Sequence, residues 1–451
     1  MTRSVKTTII RRPCTRSRRR AYRVRRQDLG TFRLKQISAV SSRMISRNAS
    51  NLLLALLSFL LLAACAGRQG VGASESWSGI AVQPGSDVAF VGTRDGRVIE
   101  LVLKANSRGV IQPQLGEVFD TADREEGDDN SRVGAAFYGT PAIADSRVYV
   151  GSYQGFVYSM LASDSSEGRA LSDVGSFEID GDSLAKGIAG SIVYDNGMLV
   201  VVATEDTNSG RLYVLNAEEL DANARQDRIE RCRYPASDDS RIGRAWTTPL
   251  VINGIAYFGD LDHYVHAVRI ATCESVWDAP AELGGAIIAT PVAVNGRLYL
   301  GAFDRHLYSV DMASGTVSDL LTANSWFWAS PATDGRLVYA PNLDGRLYAY
   351  DTFAGEKAWD YDQEGDVDPL LSSPAIVGAN IVLASDSGIF SLLDNEGRML
   401  RRIGKAGDQV RSQLTVVDST VYAHSLEEML TAYVVVDDDL ESEWVFQIEG
   451  F

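Results

Sequence analysis

Apolar runs and turn-forming residues alternate along the chain from residue 78 onward in a recurring unit. Each unit opens with small residues, continues through a short apolar run and a turn, and closes with a run of alternating apolar and polar positions. Eight such units begin at these residues: Ser78, Thr140, Gly190, Thr248, Thr290, Ser330, Ser373 and Ser412. Alternation with a period of two predicts β-strands, and strands that repeat about every forty residues are typical of propeller blades.

The turns between the runs predict how the strands pair. Five of them contain Asp or Asn followed by Gly, at Asp95-Gly96, Asn253-Gly254, Asn295-Gly296, Asp334-Gly335 and Asp344-Gly345. These residues tolerate the positive φ that two-residue hairpin turns require, so each unit is an antiparallel meander. The chain before the next unit has room for a fourth strand, as at Glu356 to Tyr361. We therefore predict an all-β fold, an eight-bladed β-propeller of four-stranded antiparallel blades over residues 77–451.

Small residues and prolines mark the first strand of most units. Five prolines stand at the predicted first positions of these strands, where a missing N–H costs least: Pro141, Pro249, Pro291, Pro331 and Pro374. Small side chains are expected where eight inner strands converge on a narrow channel. The pattern therefore predicts that the Ser/Thr-Pro segments line the central channel.

The N-terminal part of the chain has a different character. Residues 52–64 are apolar except for Ser58, a stretch too short to cross a hydrocarbon core of about 30 Å. The ending Leu62-Ala63-Ala64-Cys65 resembles a bacterial lipobox, which implies a lipoprotein signal peptide over 44–64 and lipidation of Cys65. A linker over 65–76 would follow. An ordinary signal peptide or a short anchor with an incidental cysteine stays open.

Charge is distributed unevenly along the chain. Residues 1–64 contain fifteen Lys and Arg and a single acid, Asp28, whereas 28 basic and 58 acidic residues follow them. We interpret the basic segment 1–43 as an extension produced by a misassigned start codon. The remaining chain is strongly acidic and should repel nucleic acid and anionic membranes. The sequence therefore predicts no nucleic-acid partner.

One motif identifies a propeller family. Residues 349–359 carry Ala349, Asp351, Gly355 and Trp359 at the spacing Ala-x-Asp-x-x-Thr-Gly-x-x-x-Trp, with Ala in place of Thr. A second copy runs from Ala267 to Trp277, and a weaker one contains Asp311 and Gly315. This pattern resembles the pyrroloquinoline-quinone-like (PQQ-like) repeat of the quinoprotein-dehydrogenase-like propellers. The resemblance implies that each Trp docks on the adjacent blade while Asp and Gly shape the turn.

Two other propeller families fit less well. WD40 repeats pair each Trp-Asp with an upstream Gly-His, and no histidine here follows a glycine. Kelch repeats need a Gly-Gly pair in each blade, and Gly284-Gly285 is the single one in the sequence.

The combination of lipobox, eight blades and Ser/Thr-Pro strands resembles the propeller lipoproteins of the outer-membrane β-barrel assembly machinery. That resemblance implies a non-enzymatic interaction scaffold without a cofactor, whose partners are envelope or membrane proteins. It also implies a lipid-anchored position outside the cytoplasm, on the outer membrane of a diderm cell or otherwise on the outer leaflet of the cytoplasmic membrane. The alternatives are a PQQ-dependent dehydrogenase-like propeller and a small-ligand or glycan binder. The vicinal Cys-Cys pair of quinoprotein dehydrogenases is absent from the sequence.

Cysteines, histidines and acids offer few further candidate sites. Cys232 and Cys273 occupy nearly matching places in successive repeats, so a disulfide between blades and two buried thiols are both open. His266 stands where Tyr308 and Tyr348 stand in other repeats, which favours strand residues over metal ligands. The acidic run 120–130 could bind Ca²⁺, but it lacks the loop register and favours a solvated loop. The pattern leaves open how the ring closes.

Overall fold

The computed structural model describes residues 78–83, 85–105, 110–121, 136–162, 171–181, 185–221, 225–237, 242–363, 368–404 and 409–448. Several sequence predictions lie outside these residues. They concern the basic extension 1–43, the signal peptide 44–64, lipidation of Cys65, the linker 65–76 and most of the acidic run.

Thirty-three strands in the described residues form eight antiparallel sheets, each built from consecutive strands. Blades one to four contain β1 (Ile80–Val82), β2 (Val88–Gly92), β3 (Arg97–Ala105), β4 (Ile111–Asp120); β5 (Ala142–Ala144), β6 (Arg147–Gly151), β7 (Phe156–Leu161), β8 (Ser172–Glu178); β9 (Val193–Asp195), β10 (Met198–Thr204), β11 (Gly210–Asn216), β12 (Glu230–Tyr234); β13 (Leu250–Ile252), β14 (Ile255–Gly259), β15 (Tyr264–Arg269), β16 (Glu274–Ser275) and β17 (Ala281–Glu282). In blade four, β16 and β17 are two short pieces that both pair with β15.

Blades five to eight repeat the same arrangement. They contain β18 (Val292–Val294), β19 (Arg297–Gly301), β20 (His306–Asp311), β21 (Val317–Thr322); β22 (Ala332–Thr333), β23 (Leu337–Pro341), β24 (Arg346–Asp351), β25 (Glu356–Asp362); β26 (Ala375–Val377), β27 (Asn380–Ala384), β28 (Phe390–Asp394), β29 (Met399–Ile403); β30 (Thr415–Val417), β31 (Thr420–His424), β32 (Met429–Val436) and β33 (Asp439–Gln447). A 3₁₀ helix (Ala217–Glu219) and a short α1 (Gln226–Ile229) join β11 to β12. The predicted eight-bladed propeller of four-stranded blades is confirmed.

The first strands of neighbouring blades contact one another and line the central channel. We call the end of the propeller where these strands begin the entry end, and the opposite end the turn end. Each predicted proline precedes the first strand residue directly, as Pro249 precedes β13. The strand therefore begins one residue later than predicted, because proline has no N–H to donate to the ladder.

The hairpin turns follow the predicted chemistry. Asn253 and Gly254 have φ values of 50° and 73°, and Asn295 and Gly296 have 51° and 74°, so both residues of each turn are left-handed. These are the turns that suit the twist of a two-residue hairpin. Gly345 has a φ of 82° and lies in a different place, between the second and third strands of its blade.

Hydroxyl groups of the entry segments link neighbouring blades. The Thr140 N–H donates to Ser191 Oγ at 2.9 Å, and the Ser191 N–H donates to Thr248 Oγ1 at 2.8 Å. The Thr290 N–H makes the same bond to Ser330 Oγ at 2.8 Å. The Ser/Thr preference therefore comes from hydrogen bonds between blades as well as from lack of space.

The ring closes without any exchange of strands, because β1 and β33 each belong to a blade of consecutive strands. Side chains of the first and last blades share one apolar cluster, which contains Ile80, Leu101 and Trp444. Packing across this seam replaces the strand exchange that would otherwise hold the first and last blades together.

A buried polar pair strengthens the same seam. His424 Nδ1 lies 2.8 Å from the Ser78 carbonyl oxygen, so Nδ1 carries a proton, and His424 Nε2 lies 2.7 Å from Glu428 Oε2. The Arg94 N–H donates to Glu428 Oε1 at 3.0 Å. Because both side chains are at most 1% exposed, the pair connects the last blade to the first away from water.

Candidate functional site

One residue in each entry segment points toward the mouth of the channel at the entry end. Seven of these equivalent positions line one cavity: Tyr138, Ala189, Trp246, Ile288, Trp328, Leu371 and Arg411. We call the five large apolar members, Tyr138, Trp246, Ile288, Trp328 and Leu371, the apolar collar. The cavity has a volume of about 120 Å³, and its other lining residues include the hydroxyl-bearing residues that link the blades.

Aromatic rings extend the collar over the rim of the mouth. The Phe303 ring stacks on Trp326, with 5.1 Å between ring centroids and 10° between planes, and on Trp328 at 5.6 Å and 19°. The Arg244 guanidinium lies 5.8 Å from the centre of the Trp246 ring. All four aromatic side chains are partly exposed. The mouth therefore presents apolar surface to solvent.

Backbone hydrogen bonds hold this surface in place. The residue after the second strand of a blade donates its N–H to the entry segment: Leu261 to the Arg244 carbonyl oxygen at 2.8 Å, and Phe303 to Ala286 at 3.0 Å. Leu343 donates to the Trp326 carbonyl oxygen at 3.1 Å. Because the same bond recurs from blade to blade, the mouth is preformed.

Carboxylates surround the aromatic part of the mouth. Asp262, Asp304 and Asp344 occupy equivalent turns of blades four to six, and we call them the rim acids. Asp344 accepts hydrogen bonds from the Arg346 N–H at 3.0 Å and the Tyr348 hydroxyl at 2.7 Å. Burial and this bond raise the pKa of Tyr348, so the tyrosine stays a donor and Asp344 stays an acceptor.

The docking motif lies at the turn end, away from the mouth. Trp359 Nε1 donates to the Asn395 carbonyl oxygen of the next blade at 3.1 Å, and Trp277 Nε1 donates to Met312 at 3.0 Å. A Cβ on Gly397 would lie 2.7 Å from the Trp359 ring. The glycine of the next blade therefore makes room for the tryptophan, a role that sequence analysis had not assigned.

The other motif residues shape the turn that precedes each Trp. Asp351 Oδ1 accepts the N–H groups of Phe353 and Ala354, each at 2.9 Å, and Gly355 has a φ of 74°. The Ala354 N–H and the Arg336 side chain hold the pKa of Asp351 below its ordinary value. Ala349 lies opposite Trp359 across the ladder and is fully buried, and Ala267 is 1% exposed.

Trp444 is a third docking tryptophan that sequence analysis missed. It lies opposite Ala432, as Trp359 lies opposite Ala349, and packs 6.0 Å from Tyr422, as Trp359 packs 5.7 Å from Tyr339. Twelve residues rather than ten separate Trp444 from its alanine, because the turn is longer. A motif search that allowed a two-residue insertion would have found it.

The structure joins Cys232 and Cys273 by a disulfide, with 5.9 Å between the Cα atoms. Cys232 lies in the outermost strand β12 of blade three, and Cys273 lies in a turn of blade four. Of the two open alternatives, the structure therefore contains the bridge between blades.

Three of the four histidines lie in strands as predicted: His266 in β15, His306 in β20 and His424 in β31. His263 differs and lies in a turn with a φ of 79°. The described ranges contain no group of three or more His, Cys, Asp or Glu side chains arranged to hold a metal ion. In those same ranges no helix has the length and apolarity needed to cross a membrane.

Comparisons with known proteins agree with this architecture. A PQQ-repeat family model described as "Outer membrane protein assembly factor BamB" matches residues 244–450. No curated protein matches the sequence. BamB from Moraxella catarrhalis is similar in structure, with a TM-score of 0.56 and 20% identity over 79% of this chain and 95% of that one. The computationally designed Ika8 protein has a TM-score of 0.58 and 16% identity over 82% of this chain and 100% of its own. At such identities the two structures show the fold alone.

Proposed function

Because residues 244–450 belong to the BamB-like family of PQQ repeats, we propose that this chain is a non-enzymatic scaffold that holds other proteins of the cell envelope together. The preformed apolar collar at the entry end is the observation that carries the proposal. Protein surfaces that expose contiguous apolar side chains commonly serve in recognition. The description of the matching family as an assembly factor supports the same role.

The proposal includes no cofactor and no catalysis. In the related dehydrogenases the ligand would sit over the channel, where this chain has a cavity of about 120 Å³. Cavities that enclose cofactor-sized ligands usually measure about 300–1,000 Å³. The size of the mouth therefore favours a protein contact over an enclosed quinone.

Lipid anchoring at Cys65 is part of the proposed function and rests on the lipobox. A diacylglyceryl group on Cys65 would place the propeller at a bacterial membrane outside the cytoplasm, in keeping with the family's outer-membrane description. Two acyl chains are sufficient for stable anchoring, whereas one is reversible. Intact mass measurement of the membrane-extracted protein should give residues 65–451 plus a lipid adduct.

Affinity purification tests the scaffold role. The full-length chain, tagged at its C-terminus and extracted in mild detergent, should co-purify with envelope proteins in stoichiometric amounts. Absorbance and dye-linked oxidation of the same sample report on the competing enzyme. A preparation that has no protein partner but carries a quinone band would contradict the scaffold function.

A further inference from the structure

We infer that the apolar collar receives one apolar side chain from an extended, basic segment of the partner protein. This inference rests on the proposed scaffold function and names its docking site and the chemistry of the partner. The mouth lies at blades four to six, where Trp246, Phe303, Trp326 and Trp328 are grouped.

The size of the cavity selects the kind of occupant. A volume of about 120 Å³ accommodates a single large side chain, and it is too small for a helix or a folded loop. Tryptophan and arginine dominate the binding energy of many protein interfaces, because they bury a large area with little loss of side-chain entropy. Trp246 and Trp328 lie on the wall of the cavity, and Arg244 covers the Trp246 ring.

The polar groups below the collar allow water to be excluded at little cost. The hydroxyl oxygens of Ser191, Thr248 and Ser330 already accept hydrogen bonds from backbone N–H groups of the preceding blades. A buried polar group that keeps its hydrogen bond avoids most of the desolvation penalty. An apolar side chain can therefore enter the mouth without leaving these acceptors unpaired.

Charge selects the residues that flank the anchor. Asp262, Asp304 and Asp344 surround the aromatic part of the mouth, and the chain after residue 64 contains 58 acidic and 28 basic residues. Arg305 is the exposed basic residue among them, while Arg244 already lies over Trp246. An acidic rim attracts a cationic segment and accelerates its approach. We therefore assign basic residues to both sides of the apolar anchor.

Fluorescence polarisation tests the assignment with the full-length chain in mild detergent. The probe is a short labelled peptide of alternating Lys and Gly with one central Phe. Replacing the central Phe by Gly, or the Lys residues by Glu, should weaken binding about tenfold or more. Asp262→Asn should weaken it about twofold and reduce its dependence on salt.

Three variants locate the site. Trp328→Ala should weaken peptide binding about tenfold. Ala189→Trp should block binding by filling the mouth while it removes no contact, so this variant keeps the test decisive if Trp328→Ala is unstable. Phe353→Ala is the matched control, because Phe353 is 73% exposed at the turn end and should bind peptide normally.

The outcomes separate this inference from the proposed function. Equal binding of the Phe and Gly peptides, or normal binding by Ala189→Trp, overturns the collar as the docking site. Saturable binding of a chito-oligosaccharide without peptide binding overturns it in favour of a glycan site. If Ala189→Trp still co-purifies with the wild-type envelope partners, the scaffold stands and the inference alone is wrong. If the wild-type chain has no partner either, the scaffold function falls.

Discussion

The two ends of the propeller use equivalent positions of the repeat in opposite ways. At the turn end, Trp277, Trp359 and Trp444 each pack opposite an alanine of their own blade, and two of them donate to a carbonyl oxygen of the next blade. At the entry end, the equivalent positions change from Tyr138 through Ala189 to Arg411. A contact between blades has the same geometry each time and keeps the same residue, whereas a surface for one partner needs different residues around the ring.

The largest expected effect is on the turn end. Trp277→Ala should lower the free energy of unfolding by about 3–5 kcal/mol, because the buried indole leaves a cavity between blades four and five. Urea denaturation measures this loss. Trp328→Ala, at the partly exposed entry end, should cost less. The comparison fails if the two variants lose equal stability.

Removal of the disulfide should have the next largest effect. Cys232 and Cys273 are 41 residues apart, and the double Cys→Ser variant should lose about 2–4 kcal/mol because its unfolded chain gains freedom. Thermal unfolding with and without reductant measures the loss. Reductant should change the wild-type transition and leave that of the double variant unchanged. The bridge lies outside the collar, so peptide binding of the folded variant should stay normal.

A hairpin turn at the turn end should show a smaller effect. Asn253→Ala places a side chain without a local hydrogen-bonding group at a φ of 50° and should cost about 1–2 kcal/mol. Asn253→Gly is the matched control, because glycine adopts positive φ freely and should retain most of the stability. Equal losses in the two variants would show that the Asn side chain, and not its φ, matters.

Acid should affect the turn end by the smallest amount. Burial opposes ionisation of Asp334, but hydrogen bonds from the Leu337 and Arg336 N–H groups and the Tyr339 hydroxyl outweigh it and lower the pKa. A lowered folded-state pKa contributes stability above the unfolded value of about 3.9, and this contribution is lost as the pH falls through the folded value. Asp334→Asn should therefore make stability less dependent on pH below about 4. A pH profile identical to that of the wild type contradicts this assignment.

Local patterns in the sequence predicted much of the structure. Alternation predicted the strands, Asn-Gly pairs predicted the left-handed turns, and the spacing from Ala349 to Trp359 predicted a docking motif. Each of these signals lies within one blade, where residues close in sequence are close in space. The hydroxyl links were partly visible too, since Ser and Thr at the entry segments indicated a crowded channel.

The sequence by itself determined the number of blades, their strand order and the family, because a repeat of about forty residues must pack against copies of itself. Tertiary structure alone decided how the ring closes, through Trp444 and the His424–Glu428 pair against the first blade. It also decided that seven unlike residues form one cavity. These side chains come from different blades, far apart in the chain, so no local pattern relates them. They meet because a closed ring brings equivalent positions to a common axis.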